Sequence, residues 1–167
     1  MKRSTTYSGL SRKRRIEARR LALQCVRKLM SNPANVHYTM GASRWEPILQ
    51  KKMIHKPGFF PFFGDCSSTY SWIMWRILHH RFGLKDIVNG ANWTGGFTGT
   101  LLEHGKTVHH ESGLKVCDAV IYGNGYPGEH VAMYIGGGKV FSHGSEGGPY
   151  ILPVHYRPDV LAFRRYI

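Results

Sequence analysis

Cys66 has the strongest claim to chemistry in this chain. It follows Gly64-Asp65 and precedes Ser67-Ser68, ahead of a stretch where Trp72, Ile73, Trp75, Ile77 and Leu78 recur with helical spacing. That pattern predicts a buried helix over about 66–82, stopped by Gly83, with Cys66 in its first turn. A helix N-terminus presents unsatisfied N–H groups and the positive end of the peptide dipole. Both favour the thiolate, which is the nucleophilic form of cysteine. Cys25 instead falls mid-helix among aliphatic residues, as a structural cysteine would. With Cys117 the count is three, without close spacing, which fits neither a disulfide framework nor a zinc ribbon.

A cysteine nucleophile needs a neighbouring imidazole, and the imidazole needs something to orient it. His130 opens the predicted strand His130-Val131-Ala132-Met133-Tyr134-Ile135, and Gly136-Gly137-Gly138 turns the chain into Lys139-Val140-Phe141-Ser142-His143. With Gly136-Gly137 as a two-residue loop, His130 stands directly opposite His143, their Cβ atoms about 5 Å apart. His143 would then fix the tautomer of His130. A three-residue loop breaks that register. The pairs His79-His80 and His109-His110 read as exposed or loop residues. A metal held by His130, His143 and either Glu129 or Glu146 is disfavoured, because Glu129 adjoins His130 and points to the opposite strand face.

The elements that must position these groups follow from pattern and punctuation. Ser11 is a good N-cap for a helix ending at Asn32-Pro33. Ile16, Leu23, Val26 and Met30 mark one face, extended by Leu21, Cys25 and Leu29, while arginines crowd the rest. Pro33, Pro47, Pro57 and Pro61 break up the next thirty residues, and 89–105 is glycine-rich and loop-like. Short strands are expected near 116–122, 130–135, 139–143, 150–154 and 160–166. Helices followed by an antiparallel sheet give an α+β fold. At 167 residues the chain suits one domain, read here as a basic N-terminal tail and amphipathic helix over 1–32 and a catalytic domain over 33–167.

Charge is uneven. Of the net +13, residues 1–30 hold ten Lys/Arg against the single Glu17, and the remainder holds thirteen against nine acids. A nucleic-acid binder would spread cations over the folded domain with interleaved aromatics, so the concentration at one end argues against that class. Binding of other anions by the basic helix stays open beside a purely structural role. No apolar run reaches the roughly 18 residues that span a bilayer, and no apolar h-region follows Met1-Lys2-Arg3. The expectation is cytoplasmic synthesis without a signal peptide, with delivery by another agent.

At this point the residues resemble a known family. Gly64-Asp65-Cys66-Ser67-Ser68 is similar to the Asp-Cys-Ser-Gly signature of NlpC-type cell-wall peptidases, a papain-like group. Cys117-Asp118-Ala119-Val120-Ile121-Tyr122 resembles their Gly-Asp-hydrophobic strand, and His130–Gly136 their histidine strand. Tyr38-Thr39-Met40-Gly41 resembles their Tyr-x-x-Gly segment. Segments 89–100 and 143–149 look like peptidase modules in lysins of phages that infect actinobacteria.

The resemblance implies a Cys-bearing helix packed on an antiparallel sheet that carries the histidines. It implies Cys66 as nucleophile, His130 as base, His143 as third polar residue and the Tyr38 hydroxyl at the oxyanion site. Asp65, Ser67 and Trp93 would meet substrate, although capping explains Asp65 equally well and packing explains Trp93, as it does Trp45, Phe97 and Tyr126. The implied substrate is a stem-peptide bond of peptidoglycan, often γ-D-glutamyl-diaminopimelate, cleaved by a monomer without cofactor or metal at the wall of a bacterium, as by a phage lysin. The basic terminus would add contacts with anionic wall polymers. A CHAP-like amidase and a thioester acyltransferase use the same Cys and His logic. A nucleic-acid-binding protein without catalysis is the non-enzymatic alternative.

Overall fold

A computed structural model describes residues 7–145 and 147–167; Glu146, one of the carboxylates weighed for a metal, lies outside them. Helix α1 (Arg12–Met30) starts where Ser11 caps it by accepting from the Arg14 N–H, and ends at Ser31. Its buried face is Ala18, Ala22, Cys25, Val26 and Leu29. The expected face differed: Ile16 is 59% exposed. Two alanines, which barely register in a count of large apolar residues, let α1 lie close against its neighbours, and that close approach fixes its rotation.

Strand β1 (Val36–Tyr38), helix α2 (Glu46–Leu49) and strand β2 (Phe62–Gly64) follow. β1 and β2 pair in parallel, with Tyr38 opposite Gly64. Helix α3 (Cys66–Met74) continues as wider π-type turns over Trp75–Arg81 and stops at Gly83, whose φ of +68 suits glycine. Every residue from Ser67 to Met74 is buried, so α3 is the central helix. Its Trp72 packs edge-on against Phe62 at 5.1 Å between ring centroids.

The glycine-rich stretch read as loop contains helix α4 (Thr98–Glu103). Thr100 organises it, donating to the Asn89 side chain at 2.7 Å, while Asp86 gathers the backbone N–H groups of Val88, Asn89, Ala91 and Trp93. These side-chain bonds substitute for helix propensity, which Gly99 lowers.

The remaining strands are β3 (Lys106–Thr107), β4 (Ala119–Tyr122), β5 (His130–Gly136), β6 (Lys139–Gly144), β7 (Gly147–Pro153) and β8 (Val160–Arg165). They form one antiparallel sheet in the order β3-β8-β4-β5-β6-β7. β4 begins three residues later than expected because Lys115–Asp118 is a turn, with Cys117 at φ +84. One sheet face, with Ile121, Val131, Met133 and Phe141, packs on α1 and α3; the other buries Val120, Tyr122, Ala132 and Val140. The α+β expectation holds. Among the described residues no helix is long and apolar enough to cross a membrane.

Asp118 locks the sheet edge. Its buried carboxylate accepts from Arg165 Nε at 2.9 Å and from the Lys115 N–H at 2.8 Å. It is thus a structural partner at the strand end rather than an acid of the site. Asp118→Ala removes one member of a desolvated pair and is expected to cost about 3 kcal/mol in urea unfolding; a loss below about 1 kcal/mol would assign the pair to the solvated surface class.

Candidate active site

Cys66 is the first residue of α3, fixed there by a reciprocal cap. The Asp65 carboxylate accepts from the Ser68 N–H at 2.8 Å, and the Ser68 hydroxyl accepts from the Asp65 N–H at 2.8 Å. Ser67 donates to the same carboxylate at 3.2 Å, and Arg44 approaches it at 3.6 Å. Asp65 and Ser67, expected at the substrate, are both engaged in holding the turn at Cys66. Serine at position 68, where the family signature has glycine, supplies half of the cap.

The sulfur is surrounded by donors. The backbone N–H groups of Val131 and Ser67 and the Thr98 hydroxyl approach it, and each lowers its pKa. Burial outweighs them: desolvation, with a smaller push from the Asp65 charge, drives the thiol up to about 11. The resting thiol is neutral at pH 7. The Val131 contact matters for a second reason, since it seats the sulfur one peptide away from His130.

The two histidines do not face each other. The hairpin closes on Gly137-Gly138, with Gly136 opposite Lys139, and a bulge between Tyr134 and Gly136 sets Tyr134 opposite Val140. A one-residue offset sends a side chain to the other face of a sheet. His130 therefore pairs beside Tyr122 and its Nε2 bonds the Ser142 hydroxyl at 2.8 Å. Ser142, not His143, takes the orienting contact predicted for the next strand. His143 instead lines a crevice of only about 10 Å³ with Cys66, Thr69 and Met133. It is 2% exposed, its Nδ1 bonds the Thr69 hydroxyl at 2.7 Å, and the Tyr38 ring meets it edge-on at 5.8 Å.

Tyr38 reaches this place because β1 pairs with β2 immediately before Asp65-Cys66. Trp93 does not reach it. It is 4% exposed, packs on His79 at 6.1 Å, and borders a separate cavity beyond the far end of α3. Trp45 is buried too, whereas Phe97 and Tyr126 are exposed. Phe97 adjoins Thr98, the residue whose hydroxyl meets the sulfur. Thr69, Thr98 and Ser142 were missed in the sequence; only Thr69, one helical turn after Cys66, carried a readable positional signal. Among the described residues no group of three or more His, Cys, Asp or Glu side chains is arranged to hold a metal ion.

Thiol burial generates a pH test. The raised pKa means that the neutral thiol is favoured in the folded chain up to about pH 11. Alkylation of Cys66 by iodoacetamide should therefore keep accelerating past pH 9, the region where an ordinary thiol levels off. A rate already level at pH 7 would reveal a resting thiolate–imidazolium pair instead. Cys25, pushed up to about 12, and Cys117, pushed higher still, are buried and should stay unlabelled in the native protein, as peptide mapping would show.

No protein-family profile matches the chain, and no curated protein matches it. Solved structures do. RipB, a peptidoglycan hydrolase of Mycobacterium tuberculosis, superposes with a TM-score of 0.61 at 20% identity, over 96% of this chain and 70% of RipB. NlpC2 of Trichomonas vaginalis gives 0.59 at 17% identity, over 90% of this chain, which spans under half (46%) of that protein. The P60 domain of antigen MAP1204 from M. avium subspecies paratuberculosis gives 0.52 at 21%, over 90% of this chain and 96% of the domain. With a capped cysteine at the head of the central helix and histidines on the sheet beneath it, the chain has the NlpC/P60 papain-like fold.

Proposed function

We propose that the chain is a cysteine hydrolase that cleaves a stem-peptide amide bond of peptidoglycan, of the γ-D-glutamyl-diaminopimelate kind, through a thioester. The observation that carries this reading is the helix-capped thiol of Cys66, which shares a crevice with His143 and lies against Val131 of the strand that His130 opens. The likeness to RipB supports the substrate class.

In this mechanism His130 takes the thiol proton and the thiolate attacks the scissile carbonyl. The oxyanion is held by the Cys66 N–H and the Tyr38 hydroxyl, one such donor being worth about 3 kcal/mol. His130 then gives its proton to the departing amine, leaving a thioester. Water, deprotonated by His130, hydrolyses the thioester and restores the thiol. Ser142 holds the His130 ring through Nε2. The entry of His143 into the Cys66 crevice favours a second assignment, with His143 as base and Thr69 as its holder. Amide hydrolysis at a different wall bond, or transfer of the acyl group to an amine, would use the same thioester. Action as a phage lysin or other wall-penetrating enzyme belongs to the same proposal.

The proposal also gives the exposed cations of α1 a role: they concentrate the enzyme on anionic wall polymers. Deleting α1 would remove Cys25 and Leu29 from the core, so substitution is the better probe. Lys13→Gln with Arg20→Gln and Arg27→Gln should weaken sedimentation with whole walls at low salt while sparing cleavage of soluble stem peptides. Unchanged wall binding would assign these charges to solubility alone.

The reaction is tested by digesting diaminopimelate-type peptidoglycan and identifying the fragments by mass spectrometry. Wild type should release new stem-peptide fragments and Cys66→Ala none. His130→Ala should lower kcat by roughly 10³-fold, and His143→Ala by less, if His130 is the base; the reverse order would move the role to His143. A folded wild type that releases nothing would sink the peptidoglycan assignment.

A further inference from the structure

A cavity of the molecule lies well away from Cys66. It lies between the N-terminal half of α1 and the β3–β8 edge of the sheet, encloses about 640 Å³, and carries six cations: Arg12, Arg15, Arg19, Lys106, Lys115 and Arg165. The side-chain carboxylate at this edge, Asp118, is already bonded by Arg165 and the Lys115 N–H, and Ile167, the last residue of the chain, also lines the cavity. Glu17 turns the other way, to Arg81 at 2.7 Å. Arg12, Arg15, Arg19 and Lys115 form no ion pair with any described residue.

Two features make this arrangement costly for an empty fold. Helices gain stability from acidic residues in the first turn, where the dipole is positive, yet α1 has none there and begins Arg12-Lys13-Arg14-Arg15. Arg19, moreover, has its Nε buried with no hydrogen-bond partner among the described residues. A buried guanidinium donor that lacks an acceptor loses its hydration for nothing in return. Burial lowers its pKa, with Asp118 pulling the other way and Arg165 and Arg15 adding to the fall. Both penalties are relieved by one thing, a multivalent anion in the cavity.

We propose that this cavity is a binding site for a compact oligophosphate. Guanidinium forks match phosphate oxygens two at a time, which favours phosphate over carboxylate ligands. The volume falls within the range of small-molecule sites, and the cations converge on a pocket instead of lining a track, which favours a short ligand over a phosphodiester polymer. The site is separate from the cysteine: Arg165 belongs to β8, two strands removed from β5 in the sheet. It therefore stands independently of the hydrolase reading.

The test is calorimetric titration of the full chain carrying Cys66→Ala with sodium tripolyphosphate in 150 mM sodium chloride. Saturable one-to-one binding is expected. Arg15→Gln with Arg19→Gln should weaken it at least tenfold, and Lys13→Gln with Arg20→Gln, on the same helix but outside the cavity, should leave it within twofold. Should the first pair fail to fold, Lys115→Gln replaces it, with a loss of at least threefold expected. Absence of saturation would overturn the proposal. So would equal losses in the two double variants, which is the signature of a diffuse field. Tighter binding of a twelve-residue oligothymidylate than of tripolyphosphate would overturn it in favour of a polymer track.

Discussion

The first turn of α3 is the constraint on which the rest of the molecule hangs. A helix buried along its whole length has no water to satisfy its leading N–H groups, so they must find partners in the chain itself. Asp65 and Ser68 satisfy each other, and Ser67 joins them. Gly64 is the residue that lets β2 run straight into this turn: a Cβ there would lie 2.3 Å from the Thr69 hydroxyl and 3.2 Å from that of Ser68. Those two hydroxyls hold His143 and the cap respectively. One missing methyl group thus serves strand, helix and histidine at once, and it also brings Tyr38 alongside through the β1–β2 pairing.

Fixing Cys66 this way sets its electrostatics in conflict. The helix terminus and three hydrogen-bond donors favour the thiolate, and burial disfavours it more strongly. Reading the dipole alone from the sequence predicts an activated thiol. Against it stands desolvation of the charge in a packed crevice, which pushes the thiol up to about 11.

Much of this was legible in the residues. The helix behind Cys66, the antiparallel sheet and the order of the motifs follow from periodicity and punctuation. The family likeness even explains the turn before β4, since Cys117 stands where the family has glycine and adopts the positive φ that glycine favours. What could not be read was parity. Three successive glycines allow loops of several lengths, and a single bulged residue, Ile135, decides whether His143 or Ser142 shares a face with His130. The rotation of α1 was hidden for a related reason: Ala18 and Ala22 contribute closeness instead of bulk. Thr98 was invisible because its approach to the sulfur depends on a loop folded around Asp86, and no local pattern encodes that path.

Parity also separates the two histidines. The bulge sends His130 to the face shared with Tyr122 and Ser142, while His143 remains on the face of α3 with Thr69. Each imidazole therefore has its own hydroxyl holder, and neither is needed to orient the other. A Cys-His-His relay in a line, as the direct pairing would have given, is replaced by two separately anchored rings on either side of the strand whose Val131 N–H meets the sulfur. His143, packed against Tyr38, lines the crevice at Cys66, while His130 is held by Ser142 on the other face. That separation follows from a single extra residue in a hairpin.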